Sequence, residues 1–326
     1  MSATRPRRPL VPKRNGSGRY VREEIRSANT HEYSQQRSQP PRPVGKNGRV
    51  RIDAHQHYWD VHRFNYPWMP PGESVLRRNY LPEDLEPRLR ENNFDGTVVV
   101  QANVLIEETW WLLDLAARTP SIKGVVGWVD LTDPRVGNVL DECGKHEKFC
   151  GVRHIVHDEP DVRWLLREDV VNGLRELARR DIAYDLLLRP PHLPLIPELA
   201  DKVPGLRFVI DHIAKPPIAA HELEPWAKHM EVVSKIPGMH CKLSGMITEA
   251  DHSSWTSDDL RPYVQHVLNL FPPDRLMFGS DWPVCRLAGS WKRVLAAFTQ
   301  ACGPLPQSAR NQILGETAVR FYGLKP

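Results

Sequence analysis

Beyond residue 48 the chain alternates short β-branched runs with longer stretches of helical period. The apolar runs cover 50–54, Thr97–Gln101, Val125–Val129, Gly151–Val156, Ile182–Leu188, Leu206–Ile210, His240–Leu243 and Arg275–Phe278. Between them, apolar residues spaced three and four apart predict helices over 82–92, 107–118, 134–146, 161–180, 193–203, 222–235, 258–270 and 290–301, with one more over 308–321. Eight strands, each followed by a helix, predict a single-domain (β/α)8 TIM barrel, a fold of about 250 residues. A doubly wound sheet is the alternative, but no GxGxxG follows the first run.

Composition places a boundary before the first run. The 326 residues carry a net charge of +4, yet residues 1–50 hold twelve Lys and Arg against three Glu, so the other 276 residues are net negative. Residues 1–47 read as a disordered Arg/Pro-rich tail and 48–326 as the barrel. A basic fold is thereby excluded, and with it the electrostatic argument for nucleic acid as a partner. No run of 18 apolar residues exists, so no membrane helix is expected. The acid-free, Arg-rich first twenty residues resemble a mitochondrial presequence, but Pro6, Pro9 and Pro12 oppose the helix such a signal needs. Five cysteines without CxxC spacing read as reduced thiols, so a cytoplasmic location is expected, with mitochondrial import the lesser alternative. Oligomeric state is left open.

In a barrel the active site collects at the C-terminal ends of the strands. Polar residues gather there: Asp53, His55 and His57 on the first strand, Gln101 on the second, Trp128 and Asp130 on the third, Arg153 and His154 on the fourth. The fifth brings Asp185 and Arg189, the sixth Asp211, His212 and Lys215, the seventh Lys242 and Ser244, and the eighth Asp281 and Trp282. Strand alternation points His55 and His57 together into the mouth. Such a pair suits a metal, or two imidazoles aimed at one substrate group; hydrogen-bonded capping histidines are the packing alternative. Barrel closure would bring Asp281 beside them, with a helix cap or a salt bridge to Arg286 as its plain alternative.

Several motifs in order, Asp53-Ala-His-Gln-His-Tyr-Trp-Asp60, Gly124-Val-Val-Gly-Trp-Val-Asp-Leu131, Gly151-Val-Arg-His154, Asp211-His-Ile-Ala-Lys-Pro216, Cys241-Lys-Leu-Ser-Gly245 and Met277-Phe-Gly-Ser-Asp-Trp-Pro283, resemble the sugar-lactonase branch of the amidohydrolase superfamily. That branch is similar to 2-pyrone-4,6-dicarboxylate lactonase and to L-fucono- and L-rhamnono-lactonases. The resemblance spans about 49 to 324.

Metal-dependent members of the superfamily add to the HxH pair a Lys or Glu on strand 4 and a His on each of strands 5 and 6. Here strand 4 offers Arg153 and His154, and strand 5 has no histidine, although His192 follows in the loop. The resemblance therefore implies no essential metal; an adventitious or mononuclear zinc, if present, would sit on His55, His57, His212 and Asp281.

Lactone hydrolysis needs a base for water, donors for the carbonyl oxygen and contacts that orient the ring. Asp281 is the expected general base, His55, His57 and His212 the oxyanion donors, and Gln101, Trp128, Arg153, His154, Lys215 and Trp282 the substrate contacts. The expected activity is the opening of a sugar-derived aldonolactone, a small-molecule partner. A zinc-dependent amidohydrolase or decarboxylase on the same barrel, or a non-catalytic scaffold, are the alternatives.

Overall fold

The computed structural model describes residues 49–325. The expected tail, 1–47, lies outside the described residues. Each apolar run forms a strand close to its expected place: β1 Ile52–Gln56, β2 Gly96–Val100, β3 Ile122–Gly127, β4 Phe149–His154, β5 Ala183–Leu186, β6 Phe208–Ile210, β7 His240–Leu243 and β8 Leu276–Phe278. They lie parallel in sequential order. Helices α1 Pro82–Glu91, α2 Ile106–Arg118, α3 Val136–Cys143, α4 Glu168–Arg179, α5 Ile196–Lys202, α6 Trp226–Ser234, α7 Ser257–Leu270 and α8 Trp291–Cys302 follow the strands in turn. Two short helices, α9 Gln307–Asn311 and α10 Thr317–Tyr322, end the chain. This is the (β/α)8 barrel that the alternation predicts.

Strands walled by helices on one side and barrel filling on the other are buried on both faces, which is why they read as continuous apolar runs. In β2, Val98 and Val100 join the barrel interior while Val99 joins the layer under the helices. Phe321 and Tyr322 of α10 pack into the same interior cluster. The barrel closes just past the end of β8: Asp281 N–H donates to His55 O at 2.8 Å and His57 N–H to Trp282 O at 2.7 Å. The seam is thus built from the segments that carry the candidate chemistry.

Two helix starts differ from the sequence expectation. The helix expected from 161 begins at Glu168, after Pro160 and a 3-10 turn at Trp164–Leu166; that expected from 222 begins at Trp226, after Pro225. A residue without an N–H is best accommodated at a helix start, as Pro225 is before α6, although Pro87 and Pro262 lie inside α1 and α7. The stretch expected as one helix over 308–321 is interrupted by a π turn at Gln312–Glu316, around the poor helix former Gly315. No helix among the described residues is long and apolar enough to cross a membrane, and all five cysteines are free thiols.

Candidate active site

Strict alternation would set Asp53 on the same face as His55, but β1 shifts register between Asp53 and Gln56. Asp53 instead meets the helical layer, where its carboxylate accepts the Trp291 indole N–H of α8 at 2.8 Å and the Ser280 backbone N–H at 2.8 Å. His55 and His57 remain together at the mouth, with ring centroids 5.0 Å apart. Asp53 thereby grips the residue next to Asp281, whose backbone is in the left-handed region at φ 54°.

One carboxylate oxygen lies at the centre. Asp281 Oδ1 is 3.2 Å from His57 Nε2, 3.8 Å from His212 Nε2 and 3.9 Å from His55 Nε2. Each ring is held from behind through Nδ1: His57 donates to Val100 O at 2.8 Å, His212 pairs with Ser244 Oγ at 2.9 Å, and His55 donates to Asp211 Oδ1 at 3.2 Å. The same left-handed turn that follows β6 carries both His212 and Lys215, and Trp226 anchors it by donating to Ile213 O at 2.7 Å. Glycine is required beside two of the rings. A Cβ on Gly279 would stand 2.5 Å from His55 Cβ, and one on Gly245 (φ 61°) would overlap the His212 ring.

Below the mouth, charges continue into the barrel. Arg153 Nη1 bridges Asp211 Oδ2 at 3.1 Å and His55 Nε2 at 3.2 Å. Fully buried Lys242 lies 2.5 Å from Asp185 Oδ2 and 3.0 Å from Asp211 Oδ1, and the Tyr322 hydroxyl donates to Asp185. Burial lowers His55 and His212 well below the usual imidazole range, so both are neutral at working pH. Burial alone would raise Asp281, but the His212 and His57 rings and the Lys215 ammonium outweigh it and hold the carboxyl below its ordinary value. Asp281 is ionised.

The other expected contacts fall into different settings. Gln101 donates to Arg153 O at 3.2 Å and accepts from Arg153 Nη2 at its own carbonyl. Lys215 pairs with Glu249 at 2.5 Å. His154 and Trp128 are engaged with each other: the Trp128 indole donates to His154 Nδ1 at 2.9 Å, and His154 stacks on Trp164 and meets Glu159 at 2.6 Å. Trp282 is buried edge-on to Tyr80, and His192 bonds back to the Arg189 carbonyl in its own loop. By sequence Asp185, Asp211 and Lys242 are rim residues without an assigned role, and no local pattern marks Glu249. A lysine inside the apolar run His240–Leu243 is the signal that was available, because a charge at an interior strand position demands buried partners.

The sequence profile of the amidohydrolase family matches residues 52–324. The chain belongs to the amidohydrolase family. It is similar to an L-fucono-1,5-lactonase of Burkholderia ambifaria, 40% identical over 278 residues, spanning 83% of this chain and 95% of that enzyme. It is also similar to an L-fucono-1,5-lactonase of Burkholderia multivorans, 36% identical over 85% of this chain and 97% of the relative. A crystal structure of a B. multivorans amidohydrolase with bound zinc superposes at a TM-score of 0.79 and 35% identity, over 85% of this chain and all of that one.

The donor set of this amidohydrolase is compatible with one divalent ion. His55, His57 and Asp281 offer ligand atoms within 4.8 Å of one another, and the Nδ1 partners leave Nε2 of each ring facing the carboxylate, the orientation that supports a ligating histidine. Arg153 competes for it, since its guanidinium already donates to His55 Nε2.

Proposed function

We infer that this chain is a hydrolase that opens a sugar-derived lactone, with Asp281 as the base that activates water. The observation that carries the reading is the ionised Asp281 ringed by three imidazole Nε2 atoms at the barrel mouth, in a chain 40% identical to an L-fucono-1,5-lactonase. Water gives a proton to Asp281 and its oxygen attacks the acyl carbon; the ring C–O bond then breaks, the departing ring oxygen takes the proton back from Asp281 and becomes a hydroxyl, and the acid formed at the acyl carbon releases its remaining proton to solvent as a carboxylate. Lactone carbonyls are electrophilic and their alkoxide leaving group is tethered, so donors and a base are chemically sufficient.

The hydrogen-bond pattern refines which groups serve as donors. His55 carries its proton on Nδ1 toward Asp211, so its Nε2 accepts from Arg153 and the guanidinium is the donor at that point. His57 faces the Val100 carbonyl with one nitrogen and Asp281 with the other, which fixes the ring beside the reacting water. Removing one such donor typically costs about 10²- to 10³-fold in kcat. A divalent ion on His55, His57, His212 and Asp281 would supply Lewis-acid polarisation of the carbonyl. We propose that it is not essential, because Arg153 already delivers positive charge at His55. Gln101 and Lys215 border this centre, while Trp128 and His154 shape the wall beyond β4. A cytoplasmic site of action accords with five unpaired thiols.

The test is a pH-indicator assay on five- and six-membered aldonolactones, beginning with L-fucono-1,5-lactone. Hydrolysis well above the spontaneous rate is expected. Folded protein without activity on any of them would favour the scaffold alternative.

A further inference from the structure

The end of the barrel opposite the mouth carries a cavity of about 260 Å³, where the segment entering β1 meets α8, α9 and the π turn. Three guanidinium groups line it, Arg49 and Arg51 from the entering segment and Arg310 from α9, together with the apolar side chains of Leu295, Phe298 and Leu314. No Asp or Glu is among its lining residues. Gly315 makes the junction possible. A Cβ there would overlap the Val50 carbonyl oxygen, so only glycine lets the π turn lie against residues 50–51 and bring Arg310 toward Arg51.

These three cations are short of anionic partners. Arg51 sends Nη1 to the Asn92 carbonyl at 3.0 Å, a neutral acceptor, and its Nε is buried without a hydrogen-bond partner among the described residues. Asp95 lies beside it and accepts the Arg51 backbone N–H at 2.8 Å. Arg49 and Arg310 have neither a side-chain hydrogen bond nor an ion pair among the described residues. Burial first, and then the Arg310 charge, pull the Arg51 guanidinium below its ordinary value, with Asp95 opposing them. Three guanidinium groups beside one carboxylate leave about two positive charges uncompensated, and such a cluster repels itself. The chain preceding Arg49 holds Lys and Arg in excess over Glu, so its charge has the same sign and does not supply the missing anion.

We propose that this cavity binds a small phosphate monoester with a short apolar body, at a site separate from that of hydrolysis. A phosphate monoester carries close to two negative charges at neutral pH, which matches the excess, and its oxygens suit the planar fork of a guanidinium. A monocarboxylate would leave half of the excess unmatched. The apolar lining takes the body of the ligand. Pockets for drug-sized ligands begin at about 300 Å³, so this smaller cavity suits a body the size of a single ring. Arg51 stands at the foot of β1 and His55 and His57 at its head, so binding steadies the barrel without entering the reaction.

The experiment is calorimetric titration of the full chain with phenyl phosphate, beside inorganic phosphate and phenol as its two halves. Phenyl phosphate should bind at one site and at least about tenfold tighter than inorganic phosphate, because the ring adds apolar burial. Arg310→Gln should weaken phenyl phosphate by about tenfold or more, the scale of a lost charge-assisted hydrogen bond. Without ligand its unfolding temperature should equal or exceed that of wild type, because a like charge has left the neighbourhood of Arg51; damage to the fold would lower it. Gln307→Glu, at an exposed lining position, gives an independent loss: its carboxylate competes for the guanidinium groups, and phenyl phosphate should weaken by a similar factor. No saturable binding of phenyl phosphate, or binding as tight in both variants as in wild type, would overturn the proposal. Equal affinities for phenyl phosphate and inorganic phosphate, or binding of phenol alone, would overturn it too, the first by showing an unselective anion contact and the second a merely apolar one. No lactone enters the titration, so its failure leaves the lactonase reading standing.

Discussion

Asp281 Oδ1 stands 3.2 Å from His57 Nε2 across the seam where the chain past β8 closes onto β1. The contact exists because the seam is stitched by backbone bonds on either side of it, from Asp281 N–H to His55 O and from His57 N–H to Trp282 O. Asp281→Asn keeps the shape and a hydrogen bond but cannot take a proton from water. Its kcat should fall by about 10²- to 10⁴-fold while the thermal unfolding profile stays near that of wild type. Steady-state kinetics beside a melting curve checks both halves, and near-normal kcat in the folded variant would move the base to another residue.

Lys242 tests the buried charge ladder. Its ammonium serves Asp185 and Asp211, all three without solvent exposure. Lys242→Met leaves two carboxylates facing each other in the barrel and should destabilise the protein by about 3–5 kcal/mol in urea unfolding. Adding Asp185→Asn should recover part of the loss. A change below about 1 kcal/mol would mean that the ladder is not a charged unit.

Glu108 links stability to pH. Its buried carboxylate accepts the backbone N–H groups of Ala102 and Asn103 and the Tyr66 hydroxyl, tying the loops after β1 and β2 together. Burial pushes it up to about 7, with these three hydrogen bonds only partly opposing the rise. A raised acid holds its proton more tightly folded than unfolded, so this contribution is fully present below the ordinary carboxylate value and is lost as pH climbs through about 7. Wild type should therefore lose stability between pH 5 and 8 relative to Glu108→Gln, by up to about 3 kcal/mol. Parallel unfolding curves at the two pH values would show that Glu108 does not titrate in this range.

Chelation bears on the metal. With Arg153 donating to His55 Nε2, exhaustive removal of divalent ions should leave most of the lactonase activity. Turnover that disappears with chelator and returns with about one equivalent of zinc would make the ion essential and place this enzyme with the metal-dependent hydrolases.

The order of elements was legible in the chain because parallel strands buried on both faces must be apolar runs, and the amphipathic helices that cover them must follow in alternation. The polar ends of those runs were legible too: His55, His57, His212 and Asp281 interrupt apolar stretches at positions where packing alone has no use for them. What only the tertiary structure decided is which groups meet. The bulge in β1 sends Asp53 to Trp291 and Ser280 while leaving His55 at the mouth, against simple alternation. Closure past β8 sets Asp281 among three imidazoles contributed by β1 and the turn after β6. His154, by its sequence position a rim contact, is absorbed by Trp128, Trp164 and Glu159, and Lys215 by Glu249. Periodicity is a local property and reports the face on which a residue lies; pairing between residues up to 238 positions apart depends on barrel closure and on loop paths that no local pattern encodes.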